Sequence, residues 1–352
     1  MTLEKLLEWA RVRVGARPSS RARCTIAPFR RSVFIALIIA TCAAGNYLVP
    51  WTGNLIYVKV PKCASSTTSG VARRVASRLG LHGVTSTGWI GGREPGVWAS
   101  HGALATQVGV ARAAALDVPS FFFTLVREPL GRCLSEFYFF RAGRADAAAG
   151  AAGDAARKVE ALRGCRDFAH AYVRPSADAS VNDTLSFYDL IGVAERFDES
   201  VVLLADALGV ALEAVLYLSS KNSSAGGVHL HGGRAYVAHP PLESEPPEVL
   251  RELASGAFAA ANADDAALWA AATARIDARM REPRLAAKLA AFRAMLARAQ
   301  RECGAAALDP AHSRCYQSDA GCGYECLDAN FTPQYARRGA NATAHSRRRK
   351  RR

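Results

Sequence analysis

The chain has 352 residues, half of them hydrophobic, which is enough for one large α/β domain or two small ones. Its net charge of +14 is concentrated at the two ends, because residues 1–31 hold eight Lys and Arg against two Glu and the last six residues are all Lys or Arg. The region between these ends is nearly neutral, so the charge does not indicate a nucleic-acid partner.

The first predicted element is an apolar segment, Val33–Val49, that directly follows the basic block. Its length is close to the shortest that crosses a bilayer as a helix. Positive charge before it and almost none directly after it predict a cytosolic N-terminus and a lumenal body. We interpret 1–31 as a basic cytosolic segment and 32–50 as a transmembrane signal anchor. A cleaved signal peptide, or an organelle transit presequence over 11–31, stays open.

The next stretch predicts a strand, a tight loop and a helix. Leu55–Val60 is short, apolar and rich in β-branched residues, as in a buried strand, and Pro61 ends it. Apolar residues then recur at helical spacing over Val71–Leu79. The loop between strand and helix consists of a lysine followed by small and hydroxyl residues: Lys62, Cys63, Ala64, Ser65, Ser66 and Thr67.

A loop of this kind aims backbone N–H groups and the positive end of a helix at an anion. Small side chains let the backbone approach a phosphate closely, and Lys62 adds a point charge. The pattern differs from the nucleotide-binding motif GxxxxGK[ST], because the lysine precedes the loop. We interpret the loop as an anion-binding site, and an ordinary turn with a serine N-cap is the alternative.

A second strand and helix follow later in the chain. Phe121–Val126 is a short apolar run that predicts a buried strand and delivers Arg127 at its end. Pro129 suits the first turn of the next helix, predicted over Leu130–Arg141, which carries Ser135. A planar guanidinium at a strand end suits a terminal phosphate, and Ser135 could meet the same oxyanion.

Together, VPKCASST after the first strand and VREPLGRCLSEFYFFR after the second resemble the two nucleotide-binding signatures of sulfotransferases that use 3′-phosphoadenosine-5′-phosphosulfate (PAPS). The second resembles the family pattern Arg-[Asp/Glu]-Pro-x-x-Arg-x-x-Ser. The nearest resemblance is to membrane-anchored carbohydrate sulfotransferases of the heparan/uronyl 2-O and galactose 3-O types, and it extends over roughly residues 54–280. It includes a further strand and helix in Phe187–Leu204 and a strand in Ala214–Asn222.

The resemblance implies an α/β fold of the P-loop-like sulfotransferase type over 51–300, with a mostly parallel sheet flanked by helices. It implies that the loop from Lys62 to Thr67, with Cys63 and Ala64 through their backbone, binds the 5′-phosphosulfate. Lys62 would hold the bridging oxygen or the sulfonyl group. Arg127 and Ser135 would bind the 3′-phosphate.

The resemblance also suggests a base for the acceptor hydroxyl. His101 lies between the two signatures, where the 2-O-type enzymes carry His-Gly-His, and an imidazole suits proton removal near neutrality. Here Ala103 replaces the second histidine, and Glu94 is an acidic alternative. Other histidines, in a Gly- and Pro-rich loop predicted over 225–247, receive no catalytic role.

The C-terminal part is predicted to be helical over Pro247–Gln300, with a break at Pro283, and to end in a Cys-rich segment, 301–340. Its four cysteines predict a disulfide-rich knot, with a zinc site as the alternative: Cys303, Cys315, Cys322 and Cys326. Cys63 and Cys133 are interpreted as small packed residues. The tail 341–352 is predicted to be disordered.

We therefore expect a single-pass Golgi enzyme with a lumenal body that transfers a sulfonyl group from PAPS to a hydroxyl of a carbohydrate. Such a transfer is an in-line displacement that depends on positioning and charge stabilisation. No metal is expected in it. The alternatives are a nucleotide phosphotransferase, which lacks support because no Walker lysine is present, and a non-catalytic glycan-binding protein on the same scaffold.

Overall fold

The structure is a computed structural model of the chain. It describes residues 51–81, 95–101, 103, 118–142, 155–218, 228–231, 234–237, 241–308, 321 and 323–331. The predicted anchor 32–50 and tail 341–352 lie outside these ranges. No helix within them is both long and apolar enough to cross a membrane.

The central sheet has four parallel strands in the order β2-β1-β3-β4. Its strands are β1 Asn54–Val58, β2 Val97–Ser100, β3 Ser120–Val126 and β4 Leu190–Val193. All of β1 and β3 is buried, as expected for strands that helices cover on both faces. The predicted α/β class with a parallel sheet flanked by helices is confirmed.

Helices make up most of the remaining structure. In chain order they are α1 Ser65–Arg78, α2 Pro129–Phe137, α3 Ala155–Gly164, α4 Phe168–Val173, α5 Val181–Phe187, α6 Phe197–Leu208, α7 Pro247–Ala254, α8 Ala257–Ala261, α9 Ala263–Met280, α10 Pro283–Leu308 and α11 Tyr324–Asn330. The break between α9 and α10 confirms the prediction at Pro283. A π-helical turn, Tyr138–Ala142, extends α2.

Two predicted elements differ in the structure. In the described part of the strand predicted over Ala214–Asn222, the 3-10 turn Leu212–Val215 takes up the first two residues and no strand is present. The predicted loop over 225–247 contains an antiparallel hairpin of β5 Val228–His231 and β6 Arg234–Val237. Two glycines between these strands in the sequence suit a two-residue hairpin turn, which is the signal that the loop interpretation overlooked.

Two disulfide bonds connect distant parts of the chain. Cys303 pairs with Cys326, which joins α10 to α11 and confirms part of the predicted knot. Cys133 on α2 is buried, as its interpretation as a packed residue predicts, and it also pairs with Cys165, which was not predicted. This pair could not be predicted from the sequence because Cys165 is far from both signatures and only folding brings α3 back against α2.

The C-terminal helix is also attached to α1 by charge. The buried Arg74 side chain donates to Asp328 on α11 at 3.1 Å and to the Leu216 carbonyl at 2.6 Å. Arg78 donates to the same carboxylate at 2.9 Å. Arg74 and Arg78 therefore connect α1 to the Cys-rich end of the chain.

Candidate functional site

The predicted site residues follow the carboxyl ends of three neighbouring strands. Lys62 follows β1, His101 follows β2 and Arg127 follows β3. The chain passes from β1 to β2 on one side and from β3 to β4 on the other, so the connections that leave the adjacent strands β1 and β3 run in opposite directions. Ligands of open α/β sheets bind in the crevice at such a point, outside the carboxyl ends of the strands. The topology thus places the two signatures at one edge of the sheet.

The loop after β1 has an unusual backbone. Lys62 and Ala64 adopt left-handed conformations, with φ of 66° and 55°, which non-glycine residues rarely do. The Cys63 amide donates to the Val60 carbonyl at 3.4 Å, which tightens the turn. Such conformations are unfavourable and persist only where the surrounding fold stabilises them. They cluster at ligand-binding sites.

Helix α1 starts directly behind this loop, and its N-cap is Ala64, which has no capping side chain. The alternative of a serine N-cap was therefore wrong. Ser65 and Ser66 are buried in the first turn, and no acidic residue lies there. The first N–H groups of a helix lack intrahelical partners, so this end carries donors and positive potential, and the N-cap residue supplies no side-chain acceptor for them.

Helix α2 begins differently. The Glu128 carboxylate accepts from the Leu130 amide at 3.0 Å and from the Gly131 amide at 2.6 Å, so a negative side chain caps this helix. An anion is therefore better accommodated at α1 than at α2, where it would meet the Glu128 charge.

Arg127 connects the two signatures directly. Its Nη1 donates to the Lys62 carbonyl oxygen at 3.3 Å, across the β1–β3 pair. Its side chain is 23% exposed and pairs with Glu195 at 3.6 Å from Nε to Oε1. The guanidinium thus lies beside the loop, partly accessible and partly neutralised.

Glu195 was not predicted from the sequence. Its carboxylate accepts from the Glu128 amide at 3.2 Å and from Trp269 Nε1 at 3.3 Å, in addition to pairing with Arg127. It belongs to the 3-10 turn Ala194–Arg196 that directly follows β4. A charged residue at the end of a strand next to β3 was the available signal, because parallel strands bring their carboxyl ends to one edge.

The Lys62 side chain contacts aromatic rings. Its Nζ lies 3.5 Å from the centroid of the Phe139 ring and 5.9 Å from that of Phe140. Both rings belong to the π-helical turn after α2. The second unit therefore contributes a contact to the lysine of the first, which the sequence analysis did not anticipate.

His101 is exposed, and its Nδ1 lies 2.9 Å from the Lys59 carbonyl oxygen. A carbonyl can only accept, so Nδ1 carries a proton and the lone pair of the neutral ring is on Nε2. The carbonyl directly after β1 thus orients the ring, and the basic nitrogen Nε2 is the one not engaged in that bond. Glu94 lies outside the described residues.

The remaining residues of the second signature have different surroundings. Ser135 is half-buried in the last turn of α2. Arg132 is 1% exposed and donates to Glu136 at 2.5 Å and to Cys165 Sγ at 2.6 Å. The second arginine of the pattern therefore stabilises the helix and its disulfide, whereas Arg127 remains accessible to a ligand.

Cys63 lies inside the loop but is fully buried, and among the described cysteines it is free. Burial raises the pKa of its thiol to about 12, so it is protonated at neutral pH and is a poor nucleophile. Within the described ranges, no group of three or more His, Cys, Asp or Glu side chains could hold a metal ion.

The chain matches no protein-family model and no curated protein.

Proposed function

We propose that the chain is a PAPS-dependent sulfotransferase that transfers a sulfonyl group to a hydroxyl of a carbohydrate. One observation carries the proposal: the Arg127 guanidinium donates to the Lys62 carbonyl, so the two sequence signatures meet at one edge of the sheet. A ligand that needs both signatures can therefore contact both. PAPS is such a ligand, because it has a phosphosulfate at one end and a 3′-phosphate on the ribose.

In this proposal the donor's 5′-phosphosulfate binds at the N-terminus of α1, to amides and hydroxyls of Ser65, Ser66 and Thr67. The uncapped helix end and the tight loop support this assignment. Arg127 and Ser135 bind the 3′-phosphate. Lys62 stabilises the charge that develops on the bridging oxygen as the sulfonyl group leaves.

His101 is the proposed base. The Nε2 lone pair would take the acceptor's hydroxyl proton as the oxygen attacks sulfur, and the bond from sulfur to the bridging oxygen of the donor would break on the opposite side. The products are the sulfate ester and 3′,5′-bisphosphoadenosine (PAP). The Lys59 carbonyl accepts from Nδ1 and keeps the ring in the tautomer that this step requires.

The carbohydrate acceptor is proposed from the resemblance, and the Golgi membrane location with a lumenal body from the resemblance together with the apolar segment Val33–Val49. The two disulfides support an oxidising compartment.

The first test is calorimetric titration of the full-length protein, purified in mild detergent, with PAP, AMP and ATP. We expect PAP to bind most tightly, because only PAP carries the 3′-phosphate that Arg127 would contact. Arg127→Ala should weaken PAP binding about 10- to 100-fold, the effect expected when a charge-assisted hydrogen bond is lost. A surface control, Arg163→Ala, should leave PAP binding unchanged, since Arg163 lies on α3 and pairs with Glu252.

A second measurement separates binding from chemistry. Lys62→Ala should lower the rate of sulfonyl transfer about 100-fold or more, with a smaller effect on PAP affinity, because its charge is needed most in the transition state. Failure of the wild-type protein to bind PAP, or preferential binding of ATP, would contradict the proposal.

A further inference from the structure

The lysine of the proposed site is held by an aromatic ring. Lys62 Nζ lies 3.5 Å from the Phe139 centroid, well within the distance at which a cation is attracted to the face of a ring. Phe139 and Phe140 contact each other edge to face, with centroids 4.8 Å apart and planes at 86°. The ammonium thus occupies a defined position on the first ring and lies farther from the second.

Buried hydrogen bonds fix the turn that carries the Phe139 ring. Phe139 belongs to the π-helical turn Tyr138–Ala142, and such turns place side chains out of the register of the preceding α-helix. Tyr138, at the start of the turn, is buried and donates to Glu245 at 2.8 Å. Glu245 also accepts from the buried Lys158 at 2.8 Å. A buried polar network therefore holds the turn in place behind the ring.

The backbone of Lys62 is held as well. Its left-handed conformation is part of the tight loop, and its carbonyl accepts from Arg127. Rotation about the lysine side-chain bonds is then the means by which Nζ can move from the ring toward an anion at the start of α1. An anionic phosphate attracts an ammonium more strongly than a neutral ring does, so a ligand can displace the contact.

We propose that Phe139 is a positioning residue that holds the Lys62 ammonium on its ring in the empty enzyme and releases it when the donor binds. This inference rests on the proposed function of the same loop. Its consequence is a competition: the ring stabilises the donor-free state, so it weakens donor binding by the free energy of the cation–π contact. For a partly exposed pair, that contact corresponds to about a two- to fivefold change in affinity.

The ring contact itself can be tested without any ligand. In full-length protein labelled with ¹³C at the lysine ε-carbon, the ε-protons of Lys62 should be shifted upfield by the ring current of Phe139. Lys62→Arg assigns the signal. Phe139→Leu should abolish the upfield shift, whereas Phe140→Leu should retain most of it, because Phe140 is the more distant ring. Addition of PAP to the wild type should also abolish it.

The competition is tested by calorimetry with PAP. Phe139→Leu should bind PAP about two- to fivefold more tightly than the wild type, and Phe139→Tyr, which keeps the ring face, should bind it as the wild type does. In the Lys62→Ala background, Phe139→Leu should have no effect on PAP affinity, because no ammonium remains to be held. A merely structural role of the ring would weaken binding in both backgrounds.

The outcomes are distinguishable. An unshifted Lys62 signal in the free wild-type protein, weaker PAP binding by Phe139→Leu, or an equal change in the Lys62→Ala background would overturn the positioning role. Absence of PAP binding by the wild type would overturn the proposed function and the release step with it, while the ring-current shift would still decide whether Phe139 holds Lys62.

Discussion

Lys62 and Ala64 adopt strained backbone conformations in the loop of the proposed site. Each left-handed non-glycine residue raises the free energy of the folded chain by roughly 1 kcal/mol. The local sequence does not favour this conformation at either Lys62 or Ala64. The Arg127 bond to the Lys62 carbonyl and the packing of the buried Cys63 hold this conformation. The loop therefore depends on contacts with β3 and the core for its shape.

The Cys63 thiol should be chemically silent in the folded protein. It is fully buried and burial raises its pKa to about 12, so at pH 8 almost no thiolate is present or accessible. We expect iodoacetamide to leave it unmodified, as measured by mass spectrometry of the tryptic peptide that begins at Cys63. The same treatment in guanidinium chloride should modify it fully. Rapid modification of the native protein would show that the loop opens in solution.

At the scale of elements, two ion pairs connect α3 to the segment that includes α7, and they differ in exposure. Lys158–Glu245 is buried at both partners, whereas Arg163 of the Arg163–Glu252 pair is 65% exposed. Buried pairs are costly to break because one charge remains in a poorly solvated place, while surface pairs contribute little. A buried ion pair and a more exposed one thus connect the same two parts of the chain.

We predict that Glu245→Gln lowers the free energy of unfolding by about 3 kcal/mol, because it removes the negative charge beside the buried Lys158 ammonium. Glu252→Gln, the matched control, should lower the free energy of unfolding much less, because its partner Arg163 is exposed. Urea denaturation followed by circular dichroism measures both. Equal losses would contradict the view that burial distinguishes the two pairs.

At the scale of the whole molecule, Asp206 joins α6 to the C-terminal helices. This nearly buried carboxylate accepts from Arg284 and from Lys288 at 2.7 Å, and it pairs with Arg279 at 3.5 Å. The hydrogen bonds from Arg284 and then Lys288, against the opposing effect of burial, lower its pKa to about 2. One acidic group thus neutralises part of a basic surface on α9 and α10.

This cluster predicts an acid-dependent stability. Because the pKa of Asp206 is lower in the folded than in the unfolded chain, its contribution is complete above the unfolded pKa of about 4 and disappears as the pH falls toward 2. The contribution is about 2 kcal/mol. Asp206→Asn should lower the free energy of unfolding at pH 7 and should show a smaller decrease between pH 5 and pH 3 than the wild type, measured by urea denaturation at each pH.

Glu282→Gln is the control for this prediction, since Glu282 is an exposed carboxylate that pairs with the exposed Arg279. Its pH dependence should follow the wild type. If Asp206→Asn lost as much stability between pH 5 and pH 3 as the wild type, the carboxylate would not be the group responsible.

The local pattern of the chain was sufficient for the parallel α/β class, for the strands β1 and β3, for the helices behind them and for the break at Pro283. Hydrophobic periodicity and the positions of proline are properties of a few neighbouring residues, and the same neighbours determine whether these helices and strands form. The same reasoning placed Lys62 and Arg127 after strands, whereas β2, which ends just before His101, was not predicted; parallel pairing brings all three residues to one edge.

What only the tertiary structure decided involves partners that are distant in sequence. Glu195 reaches Arg127 from the next strand, Cys165 returns to Cys133 through α3, and Phe139 contacts Lys62 across the sheet edge. No local pattern contains these contacts, because each depends on how two separately formed elements pack. They determine which arginine of the second signature is accessible, which of the described cysteines is free and where the lysine of the proposed site lies before a ligand binds.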